Sequence, residues 1–182
     1  METATITTTK WNLDAAHSEI GFKVKHMMIT NVSGAFGKFE VSAETKGDDF
    51  ETAKIAFEAA VDTISTGNTD RDGHLKSADF FDATKYPVLR FVSTRFEKKD
   101  DQEYLLHGNL TIKDVTKPVT LAVEFGGIGT DPWGNVKAGF SISGKIKRTD
   151  FNLNWNAALE AGGVLVSEDV KLVAEIQLVR QA

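Results

Sequence analysis

The sequence of 182 residues contains no cysteine and only three prolines. Without cysteine the chain can form neither a disulfide nor a thiolate zinc site, and it has no cysteine nucleophile. Runs of consecutive apolar residues never exceed three, as at Met27–Ile29. A transmembrane helix requires roughly 20 apolar residues, and the core of a signal peptide about 7–15. The sequence therefore predicts neither element, and it predicts a cytoplasmic protein, or a periplasmic one if a leader has been removed.

Basic residues are in the minority, since 21 Lys and Arg stand against 26 Asp and Glu and give a formal net charge of −5. Nucleic acids and anionic membranes are generally bound through a basic stripe, so the net charge argues against both as general partners. The composition, 41% hydrophobic and 26% charged, is typical of one globular domain. We expect residues 1–10, which are rich in threonine, to form a flexible N-terminal tail and residues 11–182 to form a single domain.

Apolar and polar residues alternate along most of the chain. In residues 20–26, Ile20, Phe22, Val24 and His26 share one face, and this period of two is typical of a half-buried strand. The pattern predicts about eight strands, at residues 20–26, 35–43, 55–63, 89–95, 106–112, 119–125, 138–146 and 172–178.

Two segments lack the alternation. Residues 68–81 predict a short helix capped by Asn68 or Thr69, and the Ala-rich residues 156–162 predict a helical turn. Regularly spaced strands fold as a sandwich or an antiparallel barrel. Eight strands make a barrel that is either filled by its own side chains or able to hold one small ligand. Small residues share faces with large ones, as Gly108 does with Leu106, and this pattern is compatible with both possibilities.

No segment carries a complete catalytic or nucleotide-binding motif. Residues 139–146 nearly match a phosphate-binding loop, but Ile146 stands where a Ser or Thr is required, and the segment alternates like a strand. Residues 126–129 lack the third glycine of a dinucleotide-binding fingerprint. No histidine lies within four residues of another, so no local metal pair is present among His17, His26, His74 and His107. The sequence therefore predicts no enzyme activity, no metal and no cofactor.

The densest polar cluster is the Asp-Arg-Asp-Gly-His segment of residues 70–74. On a helix, Arg71 and His74 would lie on one face. The cluster is either a solvated helix with weak ion pairs or a lid over the mouth of a barrel. In the second case Phe80 and Phe81 would turn inward, and Arg71 would be available to an anionic headgroup.

Five stretches together resemble the YceI-like, polyisoprenoid-binding family. They are WNLDAAHSEIGFKVKH at residues 11–26, GAFGKF at 34–39, ISTGN with RDGHL and DFFD at 64–82, GNLTIKDVTKPV at 108–119 and RTDF at 148–151. The resemblance implies an all-β fold, an extended eight-stranded antiparallel β-barrel of lipocalin type with a short helical segment near its mouth. It also implies a bacterial binding or carrier protein, often a homodimer. Its interior would hold a long isoprenoid, isoprenoid-quinone or fatty-amide-like chain.

Parity and position, combined with this resemblance, give the candidate site residues. The predicted lining is Phe22, Val24, His26, Phe36, Phe39, Phe57, Val61, Phe80, Phe81, Phe91, Phe140 and Ile142. The residues predicted to contact the headgroup are His17, Arg71, Asp72 and His74. Two alternatives are a structural or stress-related barrel with a filled core and an enzyme that acts on the bound chain. The expected partner is an amphiphilic lipid, with no nucleic acid and no membrane span.

Overall fold

The structure, a computed structural model, describes residues 7–156, 159 and 165–181. This part of the chain is mostly β-strand, with one α-helix, α1 (Thr69–Lys76), and 3-10 turns at Ala15–His17, Val61–Thr63 and Arg148–Phe151. The strands are β1 (Thr8–Leu13), β2 (Glu19–His26), β3 (Thr30–Phe36), β4 (Phe39–Lys46), β5 (Asp49–Ala60), β6 (Ile64–Ser65), β7 (Val88–Lys98), β8 (Glu103–Ile112), β9 (Val115–Thr130), β10 (Val136–Lys147) and β11 (Val166–Arg180). The helical segments in these residues are all too short or too polar to cross a membrane.

The strands close into an antiparallel barrel. The sheet runs in the order β1-β4-β5-β7-β8-β9-β10-β11, and β1 pairs with β11 to complete the circle. β11 pairs with two strands along one edge, with β1 through residues 178–180 and with β2 through residues 166–175. Because β2 pairs with β3 and β1 with β4, β1 and β2 form one interrupted strand of the barrel, and β3 and β4 form another. The predicted eight-stranded antiparallel barrel with one short helix is therefore confirmed.

Several boundaries differ from the sequence prediction. The strand predicted at 35–43 is divided between β3 and β4, because the backbone N–H groups of Gly37 and Lys38 bond to Thr63 instead of to a neighbouring strand. The predicted tail is too long, because residues 8–10 already pair with residues 44–46 of β4. Threonine fits a pleated sheet well, so a Thr-rich terminus is compatible with a strand.

The predicted helix is present at the expected position, but it is shorter than predicted. The side chain of Asn68 accepts a hydrogen bond of 2.9 Å from the N–H of Arg71, which is the geometry of the predicted cap. The helix ends at Lys76, where the prediction had it continue to residue 81. Most of the second predicted turn, residues 157–158 and 160–162, lies outside the described residues.

One end of the barrel is closed by aromatic rings. Phe50 lies at the centre of this group, with its ring centroid 5.0 Å from those of Trp11 and Phe140 and 5.4 Å from that of Phe125. Phe96 contacts Phe140 as well, at 6.4 Å. Trp11 is 1% exposed, and its indole N–H donates to the hydroxyl of Thr45 at 3.0 Å, so burial leaves no unpaired donor there. This aromatic floor separates the barrel interior from solvent at that end.

Candidate functional site

The barrel is hollow. A cavity of about 560 Å³ extends from the aromatic floor to α1. Its walls are the inward residues of the strands and are overwhelmingly apolar. This volume is within the range of roughly 300–1,000 Å³ that is typical of pockets for small molecules and cofactors.

Glycines opposite large rings help to keep the interior open. Gly34 lies directly across from Phe22 in the β2–β3 pair. A Cβ atom on Gly34 would lie 2.9 Å from two carbons of the Phe22 ring and closer still to Cζ, so the ring occupies the space of the missing side chain. Gly108 makes room for Phe91 in the same way, since its Cβ would lie 2.7 Å from a carbon of that ring. The large and small residues that share faces therefore let these rings lie against the barrel wall.

Most of the predicted lining residues border the cavity, and two do not. The residues that do are Phe22, Val24, His26, Phe36, Phe57, Phe80, Phe81, Phe91, Phe140 and Ile142. Phe39 instead packs beside Phe57, with ring centroids 6.5 Å apart. Val61 is buried in the 3-10 turn after β5, where strand parity no longer applies. The prediction also missed inward residues such as Leu110, Leu121 and Leu172, although they show the same alternation as the residues it named.

The helix α1 and the segment that follows it cover the mouth of the cavity. Arg71, His74, Phe80 and Phe81 all border the cavity, which is the arrangement expected of a lid. His74 lies edge-on to Phe80, with ring centroids 5.1 Å apart, and its Nε2 is 2.9 Å from a carboxylate oxygen of Asp79. The ring of Trp155 lies 4.7 Å from that of His74 and extends the lid. The polar cluster found in the sequence therefore lies over the open end of the bore.

Thr66 holds the loop before α1 in place. Its N–H and hydroxyl donate to the carboxylate of Asp72 at 2.8 and 2.6 Å, and the hydroxyl hydrogen bond holds the pKa of Asp72 below its usual value. The guanidinium of Arg71 donates to the hydroxyl and the carbonyl of the same threonine at 2.7 and 2.8 Å. Arg71 borders the cavity, whereas Asp72 does not. The sequence predicts that Asp72 contacts a headgroup, but in the structure its carboxylate instead holds Thr66 and the loop before α1 in place.

The histidines at the two ends of β2 lie at opposite ends of the barrel. His26, at the end of β2, borders the cavity near the mouth, and no side-chain hydrogen bond to it is found among the described residues. His17 precedes β2, whose eight residues span roughly 25 Å at about 3.3 Å per residue. The Nδ1 of His17 lies 2.9 Å from Asp14, which also accepts a hydrogen bond of 2.8 Å from Lys137. His17 therefore lies at the end of the barrel opposite Arg71, away from the mouth where the sequence predicts a headgroup contact.

A buried arginine joins two segments near the mouth. Arg148 is 3% exposed and borders the cavity. Its guanidinium donates to the carbonyls of Leu153, Trp155, Val166 and Ser167 at 2.5, 2.9, 3.1 and 2.8 Å. Burial lowers the pKa of Arg148. The RTDF stretch thus supplies a positive charge satisfied by four carbonyls, a role that its sequence alone does not indicate.

The chemistry of the site is that of a binding pocket. Hydrophobic side chains form the walls, and a few polar groups stand at the mouth. Within the described ranges, no three His, Asp or Glu side chains are grouped so that they could hold a metal ion. The fold and the site together define a hollow barrel of lipocalin type.

Comparison with known proteins identifies the family. The model of the YceI-like domain matches residues 11–178, so the chain belongs to the YceI-like family. A UPF0312 protein of Staphylococcus aureus (strain MSSA476) is 38% identical over 170 residues, which cover 93% of this chain and 96% of the relative. The crystal structure of the Campylobacter jejuni YceI protein is 33% identical, covers 100% of both chains and has a TM-score of 0.76.

A more distant solved structure shares the fold. It is a polyisoprenoid binding domain from Saccharophagus degradans, implicated in plant cell wall breakdown. It is 13% identical, covers 94% of this chain and 98% of its own, and has a TM-score of 0.62.

Proposed function

We propose that this protein is a non-catalytic carrier that holds one long isoprenoid, isoprenoid-quinone or fatty-amide-like chain inside the barrel. The hollow apolar bore of about 560 Å³, closed at one end and covered by a lid at the other, is the observation that carries this proposal. The family membership supports it, and so does the description of the Saccharophagus degradans domain as polyisoprenoid-binding. The cytoplasmic location and the homodimer remain predictions.

The bore binds a chain through the hydrophobic effect. Each buried methylene contributes about 0.8 kcal/mol, so a chain with about ten buried carbons gains several kcal/mol after the cost of ordering it. The apolar walls make no directional contact with such a tail. We therefore expect weak discrimination between tails of similar length and width, and selectivity is left to the mouth.

The polar residues at the mouth contact the headgroup in this proposal. His26, Arg71 and His74 border the cavity near its mouth, and Arg148 borders the cavity as a buried cation. Nitrogen donors and positive charge favour a headgroup with carbonyl or anionic oxygen atoms. The positions of His17 and Asp72 support structural roles for these two residues instead.

The proposal is tested by blocking the bore. Ala174 lies on β11 and borders the cavity, so Ala174→Phe would place a phenyl ring inside it. The matched control is Ala56→Phe, because Ala56 faces outward from β5 and is exposed. Protein stripped of lipid is reloaded with a polyprenol or a long-chain quinone, and the bound fraction is measured. We expect the control to load like the wild type and Ala174→Phe to load at least about tenfold less. Equal loading of both folded variants would refute the proposal.

A further inference from the structure

Three consecutive large apolar side chains are exposed at the tip of the β2–β3 hairpin. Met27, Met28 and Ile29 are 42%, 53% and 74% exposed. The other large hydrophobic residues found exposed in the described part of the chain are Val92, Ile128 and Trp133, none adjacent in sequence to another. Single exposed apolar residues are normal on protein surfaces, whereas grouped ones mark interaction sites.

The backbone of this tip is in a conformation that methionine does not favour. Met27 and Met28 have φ values of +53° and +64°, and the N–H of Ile29 donates to the carbonyl of His26 at 3.1 Å. Two positive φ values in succession are typical of a type I′ turn, in which Asn-Gly is strongly preferred. The fold therefore displays two methionines at a position where they disfavour the turn.

The tip lies beside the opening of the bore. His26, which precedes it, borders the cavity, and so does Val32 on the returning strand. The N–H of Met27 donates to the carbonyl of Leu165 at 2.8 Å, and Leu165 borders the cavity as well.

A row of lysines crosses the outer wall next to this tip. Lys23 on β2 pairs in register with Lys171 on β11, which pairs with Lys145 on β10. Lys25 and Lys147 lie two residues nearer the mouth on their strands, and all five lysines are exposed. Like charges on neighbouring strands destabilise a sheet, so this row is costly for the fold. The acidic residues beside it are Asp169, which is 3.1 Å from Lys145, and Glu168.

The same wall becomes acidic away from the mouth. Glu19 pairs in register with Glu175, four residues along from Lys23 and Lys171. Glu124 of β9 lies on the outer face at the same distance from the mouth, opposite Ser141. The net charge of −5 therefore conceals a charge gradient along the barrel. The sequence argument against an anionic membrane partner, which relied on the net charge, does not apply to this face.

We propose that this surface docks the mouth of the barrel on an anionic lipid bilayer. The apolar tip enters the interface between headgroups and acyl chains, and the lysine row binds the anionic headgroups. The bore would then open towards the membrane, so that a long apolar chain could pass between bilayer and barrel without crossing water. The purpose of the docking rests on the proposed carrier function, whereas the docking itself is measured without any cargo.

The role of the tip is tested by cosedimentation with phosphatidylcholine vesicles that contain phosphatidylglycerol. In the double variant Met27→Asn/Met28→Gly, the two residues suit the positive φ values, so the variant should melt at the same temperature as the wild type or higher. We expect its vesicle affinity to fall by at least about tenfold, because most of the inserted apolar surface is removed.

The lysine row is tested with a charge-matched pair of variants. Lys23→Gln/Lys171→Gln removes two charges from the row, whereas Lys10→Gln/Lys54→Gln removes two exposed charges that flank Glu44 elsewhere on the barrel. At about fivefold per lysine, the first variant should lose about 25-fold in affinity for the anionic vesicles. The second variant should bind like the wild type, and high salt should weaken all binding.

Three results would overturn the proposal. The first is that the wild type fails to sediment with anionic vesicles. The second is that the Met27→Asn/Met28→Gly variant binds these vesicles as tightly as the wild type. The third is that this variant changes only the sedimentation coefficient of the free protein. The last result would assign the tip to contact between copies of the chain. Native mass spectrometry of the same samples reports the bound cargo separately, so loss of docking with cargo retained leaves the carrier function standing.

Discussion

The substitution Gly34→Ala tests whether the position of the Phe22 ring keeps the bore open. The new Cβ would lie 2.9 Å from two carbons of the ring and nearer to a third, while carbon atoms pack at about 3.5–4.0 Å. The ring must therefore retreat by about 1 Å or more, and the cavity is the open space beside it. The three atoms nearest to this Cβ all belong to the ring of Phe22, so rotation of that one side chain relieves the clash.

The effect on the fold and the effect on binding should separate. Displacing the ring costs about 1–2 kcal/mol, and replacing a strand glycine by alanine recovers about 0.5–1 kcal/mol, so the free energy of unfolding should fall by about 1.5 kcal/mol or less. A ring that fills the space of one or two methylenes removes about 0.8–1.6 kcal/mol of binding, which is roughly a tenfold loss of affinity. The assays are urea denaturation and equilibrium titration with a fluorescent long-chain polyprenyl probe.

Gly108→Ala is the companion variant, and we expect it to lower the free energy of unfolding more than Gly34→Ala does. The Cβ of residue 108 would displace the ring of Phe91, and it would also lie 2.6 Å from the carbonyl oxygen of Val92, a backbone atom that cannot rotate away. We therefore expect a loss of about 1–3 kcal/mol in the free energy of unfolding. The reasoning would be refuted if Gly34→Ala bound the probe as tightly as the wild type, or if both glycine variants were equally stable.

Three further predictions concern stability. Arg148→Met should lower the free energy of unfolding in urea by at least about 3 kcal/mol, because four carbonyls lose their donor. Asn68→Ala should cost about 1 kcal/mol and speed amide exchange at the start of α1, because the N-cap is lost. The hydrogen bond from Lys137 lowers the pKa of Asp14, so the stability it contributes is present above the unfolded pKa and is lost as the pH falls through the folded pKa. Thermal melts should show Asp14→Asn losing less stability below about pH 4 than the wild type, and a parallel decline would contradict this assignment.

The barrel could be predicted because each strand carries its own signal. Alternation along residues such as Ile20, Phe22 and Val24 depends only on local spacing, and it survives in the structure as the inward face of β2. The break at Gly37 could not be predicted in this way, because it depends on hydrogen bonds to Thr63, 26 residues further along the chain.

The site could be predicted only in part, because strand alternation does not show which end of a barrel a residue occupies. The sequence predicts His17 and Arg71 together at the mouth, whereas the direction of β2 puts them at opposite ends of the barrel. The lysine row could not be predicted for a similar reason, since Lys23, Lys145 and Lys171 are brought together only by the pairing of three strands. Composition averages over such surfaces and therefore conceals them.

The most direct test of the carrier account is native mass spectrometry of the wild-type protein purified under mild conditions. The account predicts an adduct on the order of several hundred daltons, retained by the intact barrel and released on unfolding. A uniformly bare protein, from cells that make long-chain isoprenoids, would contradict it.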